Sequence, residues 1–280
     1  MGNCIGRVSN ENESDYLEIV LFQPNQQQSL TIENMSEEFK HDQKIITLAN
    51  ALTKGGSIRH LSAELRNEKS IVLQAVFKNG YELRYASDAL KEDRDVVLAA
   101  VMQTGHALEY ASARLQGDKE IVSLALGKHG SLEHASTELR NKRSIVLQAV
   151  SQDRLALRYA SDALKDDREI VLTAVMQTGH DLEYASARLQ GDEEIVSLAL
   201  SKHGSLGHTS TELRNKKSIV LQAVSQDGYA LRYASDVLKD DREIVLAAVM
   251  QTGHALEYTS ARLQGDEEIV SLALSKHGSL

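Results

Sequence analysis

The sequence predicts an all-α solenoid of nine two-helix repeats, and three observations support that prediction. A tripeptide of the Tyr-Ala-Ser type recurs, and its serines follow at steps of 24 or 25 residues: Ser62, Ser87, Ser112, Ser136, Ser161, Ser186, Ser210, Ser235 and Ser260. A longer period of 74 residues is superimposed, because the heptapeptide that starts at Ser70 returns at Ser144 and Ser218. The apolar residues within each unit follow helical spacing. Fixed periods of 20 to 50 residues are typical of solenoids and related repeat proteins.

The first half of each unit has the apolar pattern of one helix. In the third unit, Leu108, Ala111 and Leu115 are spaced i, i+3 and i+7, with Ser112 at i+4. This spacing places all four on a single helical face. We therefore predict a first helix that runs through the Ala-Ser pair.

The second half of each unit has two readings from composition alone, because an Ile-Val-Leu run also favours a β-strand and the period fits leucine-rich repeats. Comparison between units favours a helix. The positions that are always apolar are i, i+1, i+4 and i+5, as in Ile145, Val146, Ala149 and Val150. On a helix these four cover an arc of about 140°, whereas a strand would divide them between two faces.

Polar residues and glycines predict where the second helix begins and ends. Asn141, Asp166 or Asp167, and Asp192 precede it at N-cap distance. Glycines follow it and are predicted to adopt the left-handed C-cap conformation: Gly105, Gly130, Gly179, Gly204, Gly253 and Gly278. One unit has Arg154 at this place, where a left-handed backbone would be more costly.

The domain organisation predicted from these patterns has three parts. Residues 1–38, rich in Asn, Gln, Glu and Ser, form a flexible segment, and residues 39–56 resemble a second helix without its first, which is expected to cap the array. Residues 57–280 form the tandem repeats, with a tenth unit cut short after two residues. The expected consequence is an uncovered apolar flank on the ninth unit, through which another copy of the chain would associate, unless the protein is truncated.

Charge and cysteine content exclude several classes of function. The 280 residues include 31 Lys or Arg and 40 Asp or Glu, a net charge of −9, which argues against nucleic-acid binding. The single cysteine, Cys4, cannot form an internal disulfide. The sequence has no secretory signal at its start and no run of roughly 18 apolar residues. We expect a cytoplasmic protein, either free or peripheral on the cytosolic face of a membrane.

The amino terminus holds a candidate lipidation site. Gly2 after Met1 is the residue that N-myristoylation requires, and Cys4 is well placed for palmitoylation. Two acyl chains give stable membrane attachment where one does not. The sixth residue, Gly6, departs from the common pattern, which has Ser or Thr there, and the alternative is a chance glycine after the initiator.

The residue before each Ala-Ser or Thr-Ser pair forms a column of candidate partner-binding side chains. Its members in this set are Tyr85, Tyr110, His134, Tyr159, Tyr184, His208, Tyr233 and Tyr258. Beside it runs a column of mixed charge, which includes Arg84, Glu109 and Arg158. Tyrosine offers a large contact area with a polar tip, so the column predicts contact with an extended peptide. The alternative is packing between units with solvated ion pairs.

Motifs of catalysis and metal binding are absent from the sequence. It has no P-loop, no G-x-S-x-G elbow, no H-E-x-x-H and no kinase signature. His129 and His134 lie on opposite sides of Gly130, so they do not share a helical face as metal ligands would. We therefore predict no enzyme activity, no cofactor and no metal site.

The repeat pattern, carried by stretches such as 179–186 and 167–175, resembles the tandem-repeat family "domain of unknown function 4116". The resemblance implies all-helical repeats and supplies no catalytic residue. The predicted function is a non-enzymatic protein-interaction scaffold, lipid-anchored, whose protein partner is not identified. Two alternatives remain: a self-assembling structural repeat protein, and an effector that inhibits a host enzyme by binding it.

Overall fold

The computed structural model describes residues 57–277, and all its regular elements are helical. A typical repeat contributes a 3₁₀ segment, a short helix of about one turn and a longer core helix. The prediction of an all-α repeat solenoid is confirmed. The core helices are Lys69–Lys78, Arg94–Gln103, Lys119–Leu126, Arg143–Val150, Arg168–Gln177, Glu193–Ser201, Lys217–Val224, Arg242–Gln251 and Glu267–His277.

The core helices bury the face that the sequence pattern predicted. In Arg143–Val150 the four constant apolar residues are each at most 1% exposed: Ile145, Val146, Ala149 and Val150. Isolated helices of this length are marginal in water, so the helices depend on packing against their neighbours. The buried residues of successive repeats accordingly form one continuous apolar core.

The N-cap predictions are confirmed for two aspartates and wrong for one asparagine. Asp167 Oδ1 accepts hydrogen bonds from the backbone N–H groups of Glu169 and Ile170, at 3.0 and 3.1 Å. Asp192 caps the next core helix with one such bond, which its Oδ1 accepts from Ile195 N at 3.1 Å. Asn141 instead ends a short helix, and its Oδ1 accepts a hydrogen bond from Ser161 Oγ.

The predicted first helix is wrong as a single element, because the chain is extended at the Ala-Ser pair. The 3₁₀ segments before the pair are Gly80–Tyr85, Gly105–Tyr110, Leu132–His134, Gly179–Tyr184, Leu206–His208, Gly228–Tyr233 and Gly253–Tyr258. The short helices after it are Asp88–Lys91, Ala113–Gln116, Thr137–Arg140, Asp162–Lys165, Thr211–Arg214, Asp236–Lys239 and Ala261–Gln264, with 3₁₀ turns Leu65–Asn67 and Leu189–Gly191 at equivalent places. Ser87, for example, has φ −62° and ψ 158°, and its Oγ caps the short helix at Leu90 N.

The serine of each pair also explains why the chain breaks there. Its backbone N–H donates to a carbonyl oxygen of the preceding repeat, at 2.9–3.1 Å, so an unbroken helix would lose this inter-repeat bond. The pairs are Ser87–Arg66, Ser112–Lys91, Ser136–Gln116, Ser161–Arg140, Ser186–Lys165, Ser210–Gln190, Ser235–Arg214 and Ser260–Lys239. Main-chain hydrogen bonds therefore join adjacent repeats and fix their register.

Within residues 57–277, the glycines that follow the core helices are not left-handed C-caps, and the predicted Gly278 lies outside the described residues. Within residues 57–277, positive φ angles outside glycine occur at His129 (60°) and His203 (62°), one residue before Gly130 and Gly204. The glycines are required for a close approach of backbones. A Cβ on Gly105 would overlap Ala125 O and lie 2.7 Å from the Cα of Gly130.

Arg154 stands in the glycine position of one repeat without a left-handed backbone, which corrects the prediction made for it. That repeat lacks the six-residue 3₁₀ segment and has a one-turn α-helix, Ala156–Tyr159, instead. The equivalent Gly228 begins a 3₁₀ segment, and a Cβ there would overlap Ala248 O. In this repeat Arg154 is exposed, whereas the equivalent Gly228 is buried.

Ion pairs between successive repeats line the amino-terminal ends of the core helices. Arg94 Nη1 lies 2.6 Å from Asp118 Oδ2, and Arg94 also pairs with Glu120 of the next repeat. Equivalent pairs are Lys69–Asp93, Arg143–Asp167, Arg168–Asp192, Lys217–Asp241 and Arg242–Asp266. Exposed pairs of this kind each contribute about 0–1 kcal/mol, so their main role is to align neighbours.

Several sequence predictions fall outside the described residues. These are the flexible segment 1–38, the capping half-repeat 39–56, the acylation candidates Gly2 and Cys4, and the start of a tenth unit. Within the described part of the chain, the helices are too short or too polar to cross a membrane.

Candidate interaction surface

The predicted column of tyrosines and histidines forms a regular surface feature, which we call the ladder. Each member ends the 3₁₀ segment, or its one-turn α equivalent, and each is half-buried. The ladder consists of Tyr85, Tyr110, His134, Tyr159, Tyr184, His208, Tyr233 and Tyr258. The structure therefore brings all eight predicted residues to equivalent places, one in each repeat.

The backbone beneath the ladder is held from both sides. The alanine after each ladder tyrosine is buried, as at Ala86 and Ala160, or is replaced by a buried threonine, as at Thr259. In every third repeat a glutamine of the short helix satisfies the last 3₁₀ carbonyls: Gln190 Nε2 donates to Leu182 O and Glu183 O, both at 3.2 Å. The orientation of the ladder is thus fixed by the fold rather than by the ladder side chains.

Ladder rings lean on the preceding repeat. A Cβ built on Gly207 would lie 2.8 Å from the ring of Tyr233, so the ring covers this glycine. The rings of Tyr229 and Tyr258 meet edge to face, with centroids 6.4 Å apart. The alternative reading of the column, as packing between units, accounts for part of each ring but leaves the other part exposed.

Three ladder tyrosines carry an arginine over the ring. The Arg84 guanidinium lies 4.4 Å from the Tyr85 ring centroid, and the same separation is 5.7 Å for Arg158–Tyr159 and 4.5 Å for Arg232–Tyr233. Such cation–π contacts contribute about 0.5–1 kcal/mol at exposed sites. No carboxylate of residues 57–277 forms an ion pair with any of these three arginines.

Glutamates of the same surface act on the ladder hydroxyls. The hydrogen-bonding carboxylate of Glu133 raises the pKa of Tyr159, and that of Glu183 raises the pKa of Tyr184. For Tyr110 burial is the first cause of a raised pKa, followed by the charge of Glu109. These hydroxyls therefore remain protonated hydrogen-bond donors at physiological pH.

One buried carboxylate near the ladder was not foreseen from the sequence. Asp181 is 2% exposed, and its Oδ2 has no hydrogen-bond partner among the described residues. Burial, together with the charge of Asp153, raises the pKa of Asp181 to about 7, while the nearby Arg154 acts in the opposite direction. The signal was available in the repeat alignment, since Ala107 and Ala255 occupy this place in other repeats.

In another repeat the position equivalent to Asp181 holds Glu82, a second buried carboxylate, which has hydrogen-bond donors. Glu82 is 6% exposed, and its Oε2 accepts hydrogen bonds from Ile58 N at 2.8 Å and from Ser57 Oγ at 3.0 Å. The preceding repeat therefore supplies the donors that a buried carboxylate at this place requires for full hydrogen bonding. Asp181 lacks such donors.

The histidines show no metal-binding arrangement within residues 57–277. No group of three or more His, Cys, Asp or Glu side chains there has the geometry of a metal site. His208 Nε2 instead lies 3.5 Å from Glu183 Oε2 of the preceding repeat.

The fold and the ladder define a helical-repeat protein with one aromatic position per repeat on its surface. Overlapping matches to the family model described as "Domain of unknown function (DUF4116)" cover residues 50–91, 69–116, 93–140, 118–165, 167–214, 192–239, 216–264 and 241–280. The chain belongs to this family. No curated protein and no solved structure matches the chain.

Proposed function

We propose that the protein is a non-enzymatic interaction module that binds an elongated protein partner along the ladder. The observation that supports this proposal is the recurrence of one half-buried Tyr or His at the same place in eight successive repeats. Solenoids use such extended surfaces for binding, because equivalent side chains of neighbouring repeats form continuous rows.

The binding strength would come from repetition. Truncation of an aromatic anchor at an interface costs about 2 kcal/mol or more only at central hot spots, and most contacts contribute little. A partner that engages several rungs at once converts later contacts into intramolecular ones, which raises the overall affinity. The rigid backbone beneath the ladder limits the entropy lost on binding.

The test compares partner capture by the full chain and by ladder variants. We expect proteins captured from a eukaryotic lysate by the wild type to be lost with Tyr85→Ser, Tyr159→Ser and Tyr233→Ser combined. The matched control replaces Met102, Met176 and Met250, which recur with the same 74-residue period and are 56–59% exposed, by serine. Thermal unfolding must show that both variants remain folded.

Equal capture by the wild type and by the ladder variant would contradict the proposal. Recovery of only the protein itself would favour the alternative of head-to-tail self-assembly, which concentration-dependent light scattering would then show directly. Specific capture of one host enzyme, with loss of its activity, would favour the inhibitory effector instead.

The proposed function includes attachment to the cytosolic face of a membrane through acylation at Gly2 and Cys4. The support is the sequence Met1-Gly2-Asn3-Cys4, which provides both acceptor groups, an α-amine and a thiol. We expect Gly2→Ala to move the protein from the membrane fraction to the cytosol in a eukaryotic cell. An intact mass without acyl groups, or unchanged fractionation, would contradict this part of the proposal.

A further inference from the structure

The arginines of the solenoid fall into two sets that differ in their partners. Arg94, Arg143 and Arg168 each hold carboxylates of the next repeat. Arg84, Arg158 and Arg232 stand over tyrosine rings of the ladder, are exposed, and form no ion pair with a carboxylate of the described residues. The second set therefore presents three arginines that have no carboxylate within ion-pair distance on the proposed binding surface, and Arg84 Nη2 donates to the hydroxyl of Tyr85.

These three arginines follow the 74-residue period, so they are three repeats apart. At the same place, the intervening repeats carry Glu109 and Glu133 after Arg84, Glu183 and Gly207 after Arg158, and Glu257 after Arg232. The order of charge along the ladder is positive, negative, negative, then positive, negative, neutral, then positive, negative. A partner with one kind of charge would meet repulsion at several rungs.

A second arginine lies beside each ladder tyrosine of this set. Arg66 Nη1 donates to Tyr85 O at 3.5 Å, and Arg140 and Arg214 occupy the equivalent positions of the 74-residue period, 19 residues before Tyr159 and Tyr233. The Nε atoms of all three are buried without a hydrogen-bond partner among the described residues. None of the three forms an ion pair with a carboxylate of residues 57–277. Both arginines of each three-repeat block thus add positive charge to this surface without a carboxylate in ion-pair contact.

We propose that the partner of the ladder is an extended polypeptide segment whose acidic side chains recur about every nine residues, each bound by one ladder arginine. This inference rests on the proposed function and names the chemistry of the partner. Adjacent repeats are about 10 Å apart, the packing distance of helices, so three repeats span about 30 Å. An extended chain rises about 3.3 Å per residue, and about nine residues cover that distance.

The geometry of each arginine suits a carboxylate. A guanidinium presents its N–H groups as a planar fork, which matches both oxygens of a carboxylate. Stacking on a tyrosine ring holds the fork in place before the partner arrives, so less side-chain entropy is lost on binding. Basic side chains about three residues after each acid would face Glu109, Glu183 and Glu257 in the following repeats.

The test uses two labelled synthetic peptides of identical composition and the full chain. In one peptide the acidic residues are about nine residues apart, each followed about three residues later by lysine, and in the other the acids are about five residues apart. Fluorescence anisotropy gives the Kd at low and at physiological salt. We expect the first peptide to bind about tenfold more tightly, with an advantage that shrinks as salt rises.

Matched variants identify the arginines involved. The combined substitutions Arg84→Gln, Arg158→Gln and Arg232→Gln are expected to remove the preference between the peptides. The control is Arg114→Gln, Arg188→Gln and Arg262→Gln, which follow the same period but pair with Glu92, Asp166 and Asp240. The control should retain the preference, because these arginines are neutralised within the protein.

A charge swap separates recognition from general attraction. The combined substitutions Arg84→Glu, Arg158→Glu and Arg232→Glu should bind a peptide with lysine in place of the spaced acids. Equal binding of the two original peptides, or equal loss in the ladder and control variants, would overturn this inference. In that case the proposed function would still stand if the combined Tyr85→Ser, Tyr159→Ser and Tyr233→Ser variant failed to capture the partner. Both proposals would fail if that variant captured the partner as the wild type does.

Discussion

Two neighbouring blocks of this protein, residues 131–204 and 205–278, are nearly the same sequence with a few changes of chemistry. They differ at nine of 74 positions. The pairs are Glu133/Gly207, Ala135/Thr209, Arg143/Lys217, Arg154/Gly228, Leu155/Tyr229, Ala163/Val237, Thr173/Ala247, Asp181/Ala255 and Ala185/Thr259. Six of the nine pairs lie in the 3₁₀ segments or the turns next to them, whereas the buried faces of the core helices are identical. Most of the sequence differences between the two blocks therefore lie on the side of the repeats that carries the ladder.

The physical basis of this difference is packing. Apart from Val270 in the last helix, the core-helix valines and isoleucines are at most 3% exposed, and a change of volume there leaves a cavity or an overlap. Positions on the ladder side accept change in two ways: Glu133 and Leu155 are exposed, and the buried Thr209 donates its hydroxyl to Leu206 O at 2.9 Å. Glu133, which raises the pKa of Tyr159, is replaced in the second block by Gly207, which lies beneath the ring of Tyr233. Nothing in the structure explains the change from Ala163 to the exposed Val237.

Two of the changes meet at one joint between repeats. In the first block Arg154 and Asp181 lie close enough for the arginine to lower the pKa of the aspartate, and in the second block both charges are absent, as Gly228 and Ala255. The first block therefore carries a buried, unsatisfied carboxylate that the second lacks. A solenoid can therefore contain a buried, unsatisfied carboxylate at one contact between repeats while the other contacts between repeats remain intact.

The largest expected effect is at a glycine that both blocks retain. Gly179→Ala should destabilise the protein by about 3 kcal/mol, because the added Cβ would overlap Ala199 O and lie 2.8 Å from the Cα of Gly204. Chemical denaturation measures the change in the free energy of unfolding. Gly191→Ala is the control and should change stability by less than about 0.5 kcal/mol, since its Cβ would have only ordinary contacts. Equal effects would refute the close-approach explanation.

The next largest effect on stability is expected where Arg154 and Asp181 of adjacent repeats lie close together. Asp181→Ala should stabilise the protein by about 1–3 kcal/mol at pH 8, because it removes a buried carboxylate without a partner. The reciprocal change, Ala255→Asp, should destabilise by at least as much, since Gly228 supplies no compensating charge. Thermal and urea unfolding measure the change in the free energy of unfolding for both variants. Destabilisation by Asp181→Ala would show that the carboxylate has a partner after all.

The stability of the wild type should also depend on pH through Asp181. Its pKa is about 7 in the folded state and near the usual value of 3.8 when unfolded. Between these values the folded state binds the extra proton, so this group's contribution makes stability fall as pH rises through the window and recover as pH is lowered. The advantage of Asp181→Ala over the wild type should therefore be greatest at pH 8 and smallest near pH 4. An advantage independent of pH would contradict this account.

A smaller effect is expected at a strained histidine. His203→Gly should stabilise the protein by about 1 kcal/mol, because His203 has φ 62° and glycine adopts this conformation without steric cost. His180→Gly, in an ordinary 3₁₀ segment, should instead destabilise by about 0.5–1 kcal/mol through chain entropy. Opposite signs in denaturant unfolding are the expected result, and the same sign for both would exclude strain at His203.

The smallest effect is expected from a substitution that gives the first block the residue found in the second, glycine in place of Glu133. Glu133→Gly should lower the pKa of Tyr159 toward its usual range, because the hydrogen-bonding carboxylate is removed. Ultraviolet absorbance titration of the phenolate measures this shift, and Glu120→Gly, which removes a carboxylate paired with Arg94, serves as the control. An unchanged tyrosine titration in both variants would show that Glu133 does not raise the pKa of Tyr159.

Much of the fold followed from the sequence. The repeat period, the buried face of each core helix and the caps at Asp167 and Asp192 were predicted, since each depends on residues within a few positions of one another. The single first helix was wrong, because the Ser112 N–H bonds to Lys91 O of the preceding repeat. The ladder was located by its period, but the arginines over its rings and the buried Asp181 required the positions of neighbouring repeats.

The sequence by itself determined that this chain is helical, periodic and acidic, since local spacing and composition are sufficient for those properties. Tertiary structure decided why Gly105 must be glycine, where each first helix breaks, which arginines are neutralised and which carboxylate is left without a partner. Each of these depends on contacts between repeats some 20 to 27 residues apart, and only stacking brings such residues together.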